Sequence, residues 1–201
     1  MHAPVDPTQQ RAAPIQERLQ FSDRAIAELE ALKSHYPNLK ACVLPALWIA
    51  QREFGGTLPP EALEEVAYRL RRSFAEVEGV ATFYTMYNTA HGVGRHMIEV
   101  CTCLSCQVNG GYRILDYLKD KLGIGLGETT PDGIFTLHEV ECLNACDRAP
   151  VIQVGDRYHG PVDAAYLDKL LDELKASTAS TVTELADAVV QVQLRSGERA
   201  K

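Results

Sequence analysis

Arg95-His96-Met97-Ile98-Glu99-Val100-Cys101-Thr102-Cys103-Leu104-Ser105-Cys106 is the stretch that decides the fold. Its compact apolar run, with Met97, Ile98 and Val100, reads as a strand, and thiols follow directly at its end. A second strand pattern, Phe135 to Val140, is followed by Cys142-Leu143-Asn144-Ala145-Cys146. Between the two, Gly110 to Leu122 places Ile114, Leu115, Leu118 and Leu122 on one helical face, and Gly123 ends it. A strand, helix and strand in succession normally give parallel strands joined by a right-handed crossover. Both cysteine groups are then predicted to leave the same end of one sheet, where open α/β sheets place their sites.

Further along, Gly125 to Gly133 is a loop rich in turn residues, and Val151–Val154 with Arg157–His159 reads as a hairpin across Gly155-Asp156. Ala164 to Leu174 reads as a helix. Strand, helix, strand, hairpin and helix is the layout of a thioredoxin-like domain, predicted over residues 92–175.

Towards the N-terminus the periodicity is helical. Phe21, Ile26, Leu29 and Leu32 mark a first helix capped by Ser22. A second is predicted over Leu39 to Phe54, with Pro45 at its start or at a kink and Gly55-Gly56 at its end. Pro59-Pro60 introduce a third, Glu61 to Arg71. Ser73 and Glu76 have capping-box spacing and start a fourth, running to about Tyr87, with Phe83, Tyr84 and Tyr87 read as bundle packing. The expected organisation is a polar tail over 1–20, a helical bundle over 21–91, the link His91-Gly92 with Gly94, the thioredoxin-like domain, and an extension over 176–201. Val182 to Leu194 of that extension is a further helix candidate. The fold class is α+β or α/β.

Composition excludes several function classes. Twenty Lys and Arg against 27 Asp and Glu leave a net charge of −7, which opposes nucleic-acid binding. Arg69, Arg71 and Arg72 read as a solvated helix face. The longest apolar run, Ala41 to Ala50, falls far short of the roughly 20 residues a spanning helix needs, so no direct membrane insertion is expected. Residues 1–14 lack the apolar stretch of a secretion signal. A reducing compartment is the default expectation, where stable disulfides are rare and clustered thiols point to metal or redox chemistry.

Five of the six cysteines lie between 101 and 146; Cys42 sits in an apolar helix and reads as packing. Cys101 and Cys106 enclose four residues, and Cys142 and Cys146 enclose three. Four thiolates on two loops suit a [2Fe–2S] cluster, two per iron. Spacing also permits zinc on Cys103, Cys106, Cys142 and Cys146, or thiol exchange at Cys103 and Cys106. Thr102 and Ser105 are candidate donors, either to cluster sulfur or within their own loop. The six histidines are scattered and none suggests a ligand.

The flanks carry a resemblance. Cys101-x4-Cys106 with Cys142-x3-Cys146 resembles the thioredoxin-like [2Fe–2S] ferredoxins. Gly127-Glu128-Thr129-Thr130-Pro131-Asp132-Gly133, Val140-Glu141-Cys142-Leu143-Asn144-Ala145-Cys146, Ala149-Pro150-Val151-Ile152-Gln153-Val154 and the helix end Gly79 to Tyr87 resemble the E-subunit family of NADH-quinone oxidoreductase, respiratory complex I. The resemblance spans roughly residues 20 to 175. It implies one [2Fe–2S] cluster on Cys101, Cys106, Cys142 and Cys146, with no catalytic residue in this chain. It implies partnership with a flavin- and NADH-binding subunit, F-like in complex I, that holds FMN and NADH, and with an iron–sulfur subunit of the same complex. The chain is then an electron-transfer subunit that does not catalyse alone. The location implied is cytoplasmic, at the inner face of the cell membrane, or the mitochondrial matrix in a eukaryote. Related subunits serve NAD-dependent hydrogenases and formate dehydrogenases; a zinc-stabilised interaction module is the alternative from another class. Cys103 departs from the family pattern and is expected to be unligated. Pro150 stands where thioredoxin-like folds often place a cis-proline.

Overall fold

The structure is a computed structural model that describes residues 19–89 and 93–198. The tail over 1–18, the link residues His91 and Gly92 together with Ala90, and residues 199–201 lie outside the described residues.

Four helices come first: α1 (Asp23–Lys33), α2 (Val43–Glu53), α3 (Pro60–Leu70) and α4 (Phe74–Phe83). Ser22 caps α1, its hydroxyl accepting from the Ala25 amide. The Ser73–Glu76 capping box opens α4 with both reciprocal bonds formed. α2 is shorter than its apolar pattern: it begins at Val43, and Pro45 lies in the first turn, where a missing N–H costs nothing. α4 stops at Phe83 because Tyr84 turns extended, at φ −94° and ψ 115°. That break ends the helical stripe early. Tyr87 is buried and donates its hydroxyl to the Leu44 carbonyl, but Phe83 is 75% exposed and Tyr84 is exposed too, contrary to their expected place in the packing.

The second half holds β1 (His96–Cys101), α5 (Leu104–Val108), α6 (Gly111–Leu122), β2 (Phe135–Val140), a 3-10 turn (Cys146–Arg148), β3 (Ile152–Val154), β4 (Arg157–His159) and α7 (Ala164–Ala176). The sheet order is β2-β1-β3-β4. β1 and β2 are parallel, with Cys101 opposite Val140, while β3 runs antiparallel to both β1 and β4. Ile98, Val100, Phe135, Leu137 and Ile152 form its core with Leu115 and Leu118 of α6 and Leu167 of α7. Ala149–Pro150 is cis, as is Gly160–Pro161.

The last helix, α8 (Thr181–Glu198), extends the stretch expected from Val182. Its Ala186 and Val190 join the core of the first four helices. Arg52, only 7% exposed, bridges Glu28 of α1 and Asp187 of α8. At its start α8 meets the sheet. The buried His96 ring lies 3.0 Å from the Leu174 carbonyl and 3.3 Å from the Thr181 hydroxyl, and Ser180 donates to the Arg95 carbonyl. A carbonyl only accepts, so Nε2 carries the proton and Nδ1 accepts from Thr181.

Candidate metal centre

Parallel pairing settles where the thiols go. Cys101 ends β1, Val140 ends β2, and the Thr102 amide still donates to the Val140 carbonyl at 3.1 Å. Both cysteine loops therefore leave one edge of the sheet side by side. Cys101 and Cys106 sit in a small apolar cluster of their own with Leu143 and Val151, and Cys103, Val140, Ala145 and Ala149 pack against it. Cys106 interacts with the thiols of Cys101 and Cys146, and Cys103 with those of Cys142 and Cys101. All five thiols of the two loops thus belong to one neighbourhood.

The first loop is short because α5 begins at Leu104 and carries Cys106 back under the strand end. The α6 start then presses against it. A Cβ on Gly111 would lie 2.9 Å from the Cys101 carbonyl and 3.0 Å from that of Cys106, so glycine is what lets the helix approach. The second loop turns through Asn144, at φ 54°, a left-handed conformation that asparagine tolerates. The two pairs differ in access: Cys101 and Cys106 are 3% and 2% exposed, Cys103 is intermediate, and Cys142 and Cys146 are exposed.

Backbone amides point at the sulfurs. The Asn144 N–H donates to Cys142 Sγ at 3.4 Å, the Val151 N–H to Cys106, and the Leu104 N–H to Cys103. Burial first, then the Cys101 thiol, pushes Cys106 up to about 11. Cys103 is also raised: the Leu104 amide works against the shift, but desolvation and the neighbouring Cys142 and Cys101 thiols outweigh it. Crowded thiols hold their protons, and a metal displaces those protons on binding, because sulfur binds as thiolate. The donor set fits an iron–sulfur cluster on these grounds: soft sulfur, amides aimed at it, and an apolar wall behind it. Among the described residues, no three His, Cys, Asp or Glu side chains gather as they would around a single metal ion.

Other expected roles resolve differently. The Thr102 hydroxyl donates to the Glu139 carboxylate at 2.8 Å rather than to sulfur. Cys42 is fully buried packing. Sequence reading missed α5, too short for periodicity to register, and the amide donors of Val151 and Asn144, which no side-chain pattern marks. The residue type at Asn144 was the available signal. Beside the thiols lies a cleft of about 690 Å³ that includes Thr102, Cys103, Tyr112, His138, Glu139 and Glu141. Leu104 and Val108 of α5 stand beside the site with 73% and 77% of their surface exposed.

Comparison with known proteins agrees with this geometry. The family model described as thioredoxin-like [2Fe-2S] ferredoxin matches residues 29–175. The chain is 48% identical over 161 residues to the E 2 subunit of NADH-quinone oxidoreductase of Rhizobium meliloti, covering 80% of this chain and 95% of that one. It is 41% identical over 160 residues to NADH-quinone oxidoreductase subunit 2 of Thermus thermophilus, covering 78% and 87%. Its fold is similar to a chain of a solved NAD+-reducing [NiFe]-hydrogenase, with a TM-score of 0.58 and 23% identity over 66% of this chain and 22% of that one. On the family match and on relatives of which it spans most of the length, the chain belongs to the thioredoxin-like [2Fe-2S] ferredoxin family.

Proposed function

We propose that this chain is the [2Fe–2S] electron-transfer subunit of an NADH-quinone oxidoreductase, equivalent to its E-type subunit, with Cys101, Cys106, Cys142 and Cys146 as the cluster ligands. The observation that carries this reading is the parallel β1–β2 register, which brings the two cysteine loops to one sheet edge. When bound, the cluster supplies one-electron redox chemistry. The chain's own residues do the rest. Cys101 and Cys106, from the apolar cluster, and Cys142 and Cys146, from the exposed loop, would hold it. The amides of Val151 and Asn144 stabilise negative charge on sulfur, and the burial and hydrogen bonding they impose tune the potential. Nothing in the step needs a catalytic acid, base or nucleophile.

The partner is a flavin- and NADH-binding subunit, F-like, that holds FMN and NADH, with an iron–sulfur subunit of the same complex beyond it. Leu104 and Val108, apolar and exposed beside the thiols, suit a protein contact. No helix among the described residues is long and apolar enough to cross a membrane, which suits a place in a peripheral arm at the inner membrane face. Cys103 is left unligated.

The test is iron and acid-labile sulfide on anaerobically purified protein, with its visible spectrum. Two irons and two sulfides per chain in a red-brown protein are expected, with strong loss in Cys101→Ser and Cys146→Ser. A colourless protein carrying zinc, or full iron in both variants, overturns the reading.

A further inference from the structure

We propose that Cys103 and Cys142 form a reversible disulfide in the cluster-free chain, withholding Cys142 from iron and making cluster loading respond to the thiol–disulfide balance. The effect on loading rests on the assignment of Cys142 as a ligand; the cross-link itself does not.

The geometry comes from the same register that builds the site. Cys101 is paired with Val140, and two residues further along each chain stand Cys103 and Cys142. The ladder ends at Cys101 and Val140, with the Thr102 amide still bonded to the Val140 carbonyl, so the two residues open their loops side by side from strands about 4.8 Å apart, and a disulfide spans roughly 4.4–6.8 Å between Cα atoms. The two thiols are near neighbours, close enough to act on each other electrostatically.

Access separates this pair from the other thiol contacts. Cys101 and Cys106 also touch, but both are buried behind Leu143 and Val151. Cys146 is exposed, yet the thiol it faces is the buried Cys106. Cys103 is only partly covered and borders the open cleft, and Cys142 is exposed, so a small oxidant reaches both. Cys142 lies on a loop segment between β2 and the 3-10 turn, free of helix or strand, so the sulfurs can close to bonding distance at low cost.

The oxidant is a low-molecular-weight disulfide such as oxidised glutathione. One thiolate attacks it, forming a mixed disulfide and releasing one reduced glutathione. The second cysteine then displaces the other glutathione. Two protein thiols lose two electrons and two protons, and one oxidised glutathione becomes two reduced ones. A cysteine in a disulfide is no longer a thiolate ligand.

The full-length cluster-free chain, reduced and then freed of reductant, is treated with oxidised glutathione and examined by intact mass, thiol count and peptide mapping. Two of the six free thiols should disappear with the loss of two hydrogens, and the cross-linked peptides should join 103 to 142. Iron and sulfide uptake by that cross-linked species should fall by roughly tenfold or more and return on reduction with dithiothreitol. Reduced Cys103→Ser should load fully and form no internal cross-link. A cross-link between other cysteines, none at all, or a cross-linked chain that loads as fast as the reduced one overturns the proposal. If reduced Cys142→Ser loads a full cluster, the ligand assignment fails and the gating with it, while the cross-link is judged on its own mapping.

Discussion

The two cysteine loops are built on opposite terms. The first is part of the fold: Cys101 is the last residue of a central strand, Cys106 sits in a helix, both are buried, and the start of α6 presses against the loop at Gly111. The second hangs from the end of β2, exposes both thiols, and inserts one large apolar side chain, Leu143, into the cluster. The difference teaches how such a site is assembled. The first half is positioned by hydrophobic burial alone; in the second only Leu143 is buried that way, so metal held by the proposed ligands would contribute more to fixing it.

Replacing a proposed ligand on each side is the largest test of that contrast. Cys106→Ser and Cys146→Ser should each cut cluster content by roughly 10–100-fold, read as iron and sulfide per chain. They should part in the cluster-free chain. The buried hydroxyl of Cys106→Ser should cost about 1–3 kcal/mol in urea unfolding, and Cys146→Ser should stay within about 0.5 kcal/mol. Equal costs would erase the distinction.

Leu143→Ala comes next. Removing the main apolar anchor of the second loop should cost about 2–4 kcal/mol and speed amide exchange across 141–146, leaving 101–106 protected. Gly111→Ala is the matching change for the first loop. A methyl against the Cys101 and Cys106 carbonyls should cost about 1–3 kcal/mol and alter the visible spectrum of the cluster. An unaltered spectrum would mean that the first loop is less rigid than it looks.

The smallest effect is a pH slope. Burial lowers the pKa of His138, in the strand that feeds the second loop, and of His96, at the start of the strand that feeds the first. Each binds its proton more weakly folded than unfolded, so its stability contribution is full above about pH 6.5 and falls as pH drops below that value. His138→Gln should flatten the urea-midpoint profile of the cluster-free chain as pH falls below about 6.5.

Much of this was legible in the sequence because the signals are local. The β2 pattern was visible from Phe135 to Val140, and the Ser73–Glu76 cap from its spacing. The parallel pairing that joins the loops followed from the helix between the strands. What stayed hidden depends on three dimensions. The exposure of Phe83 follows from a backbone break at Tyr84 that no residue there announces. The Val151 amide reaches Cys106 across 45 residues of chain, a contact that only the antiparallel return of β3 creates. The nearness of Cys103 to Cys142 likewise needs the strand register, because spacing alone pairs Cys103 with Cys106.

The closing helix has a consequence for how the molecule comes apart. Through Val190 and Asp187 it is fastened to the first four helices, and through Thr181 and Ser180 to the sheet. Peeling α8 away uncovers the first core and frees the His96 ring and the Arg95 carbonyl of the sheet at once, so on heating the two halves should melt as one cooperative body instead of in two steps, and trimming the chain behind α7 should split that single transition.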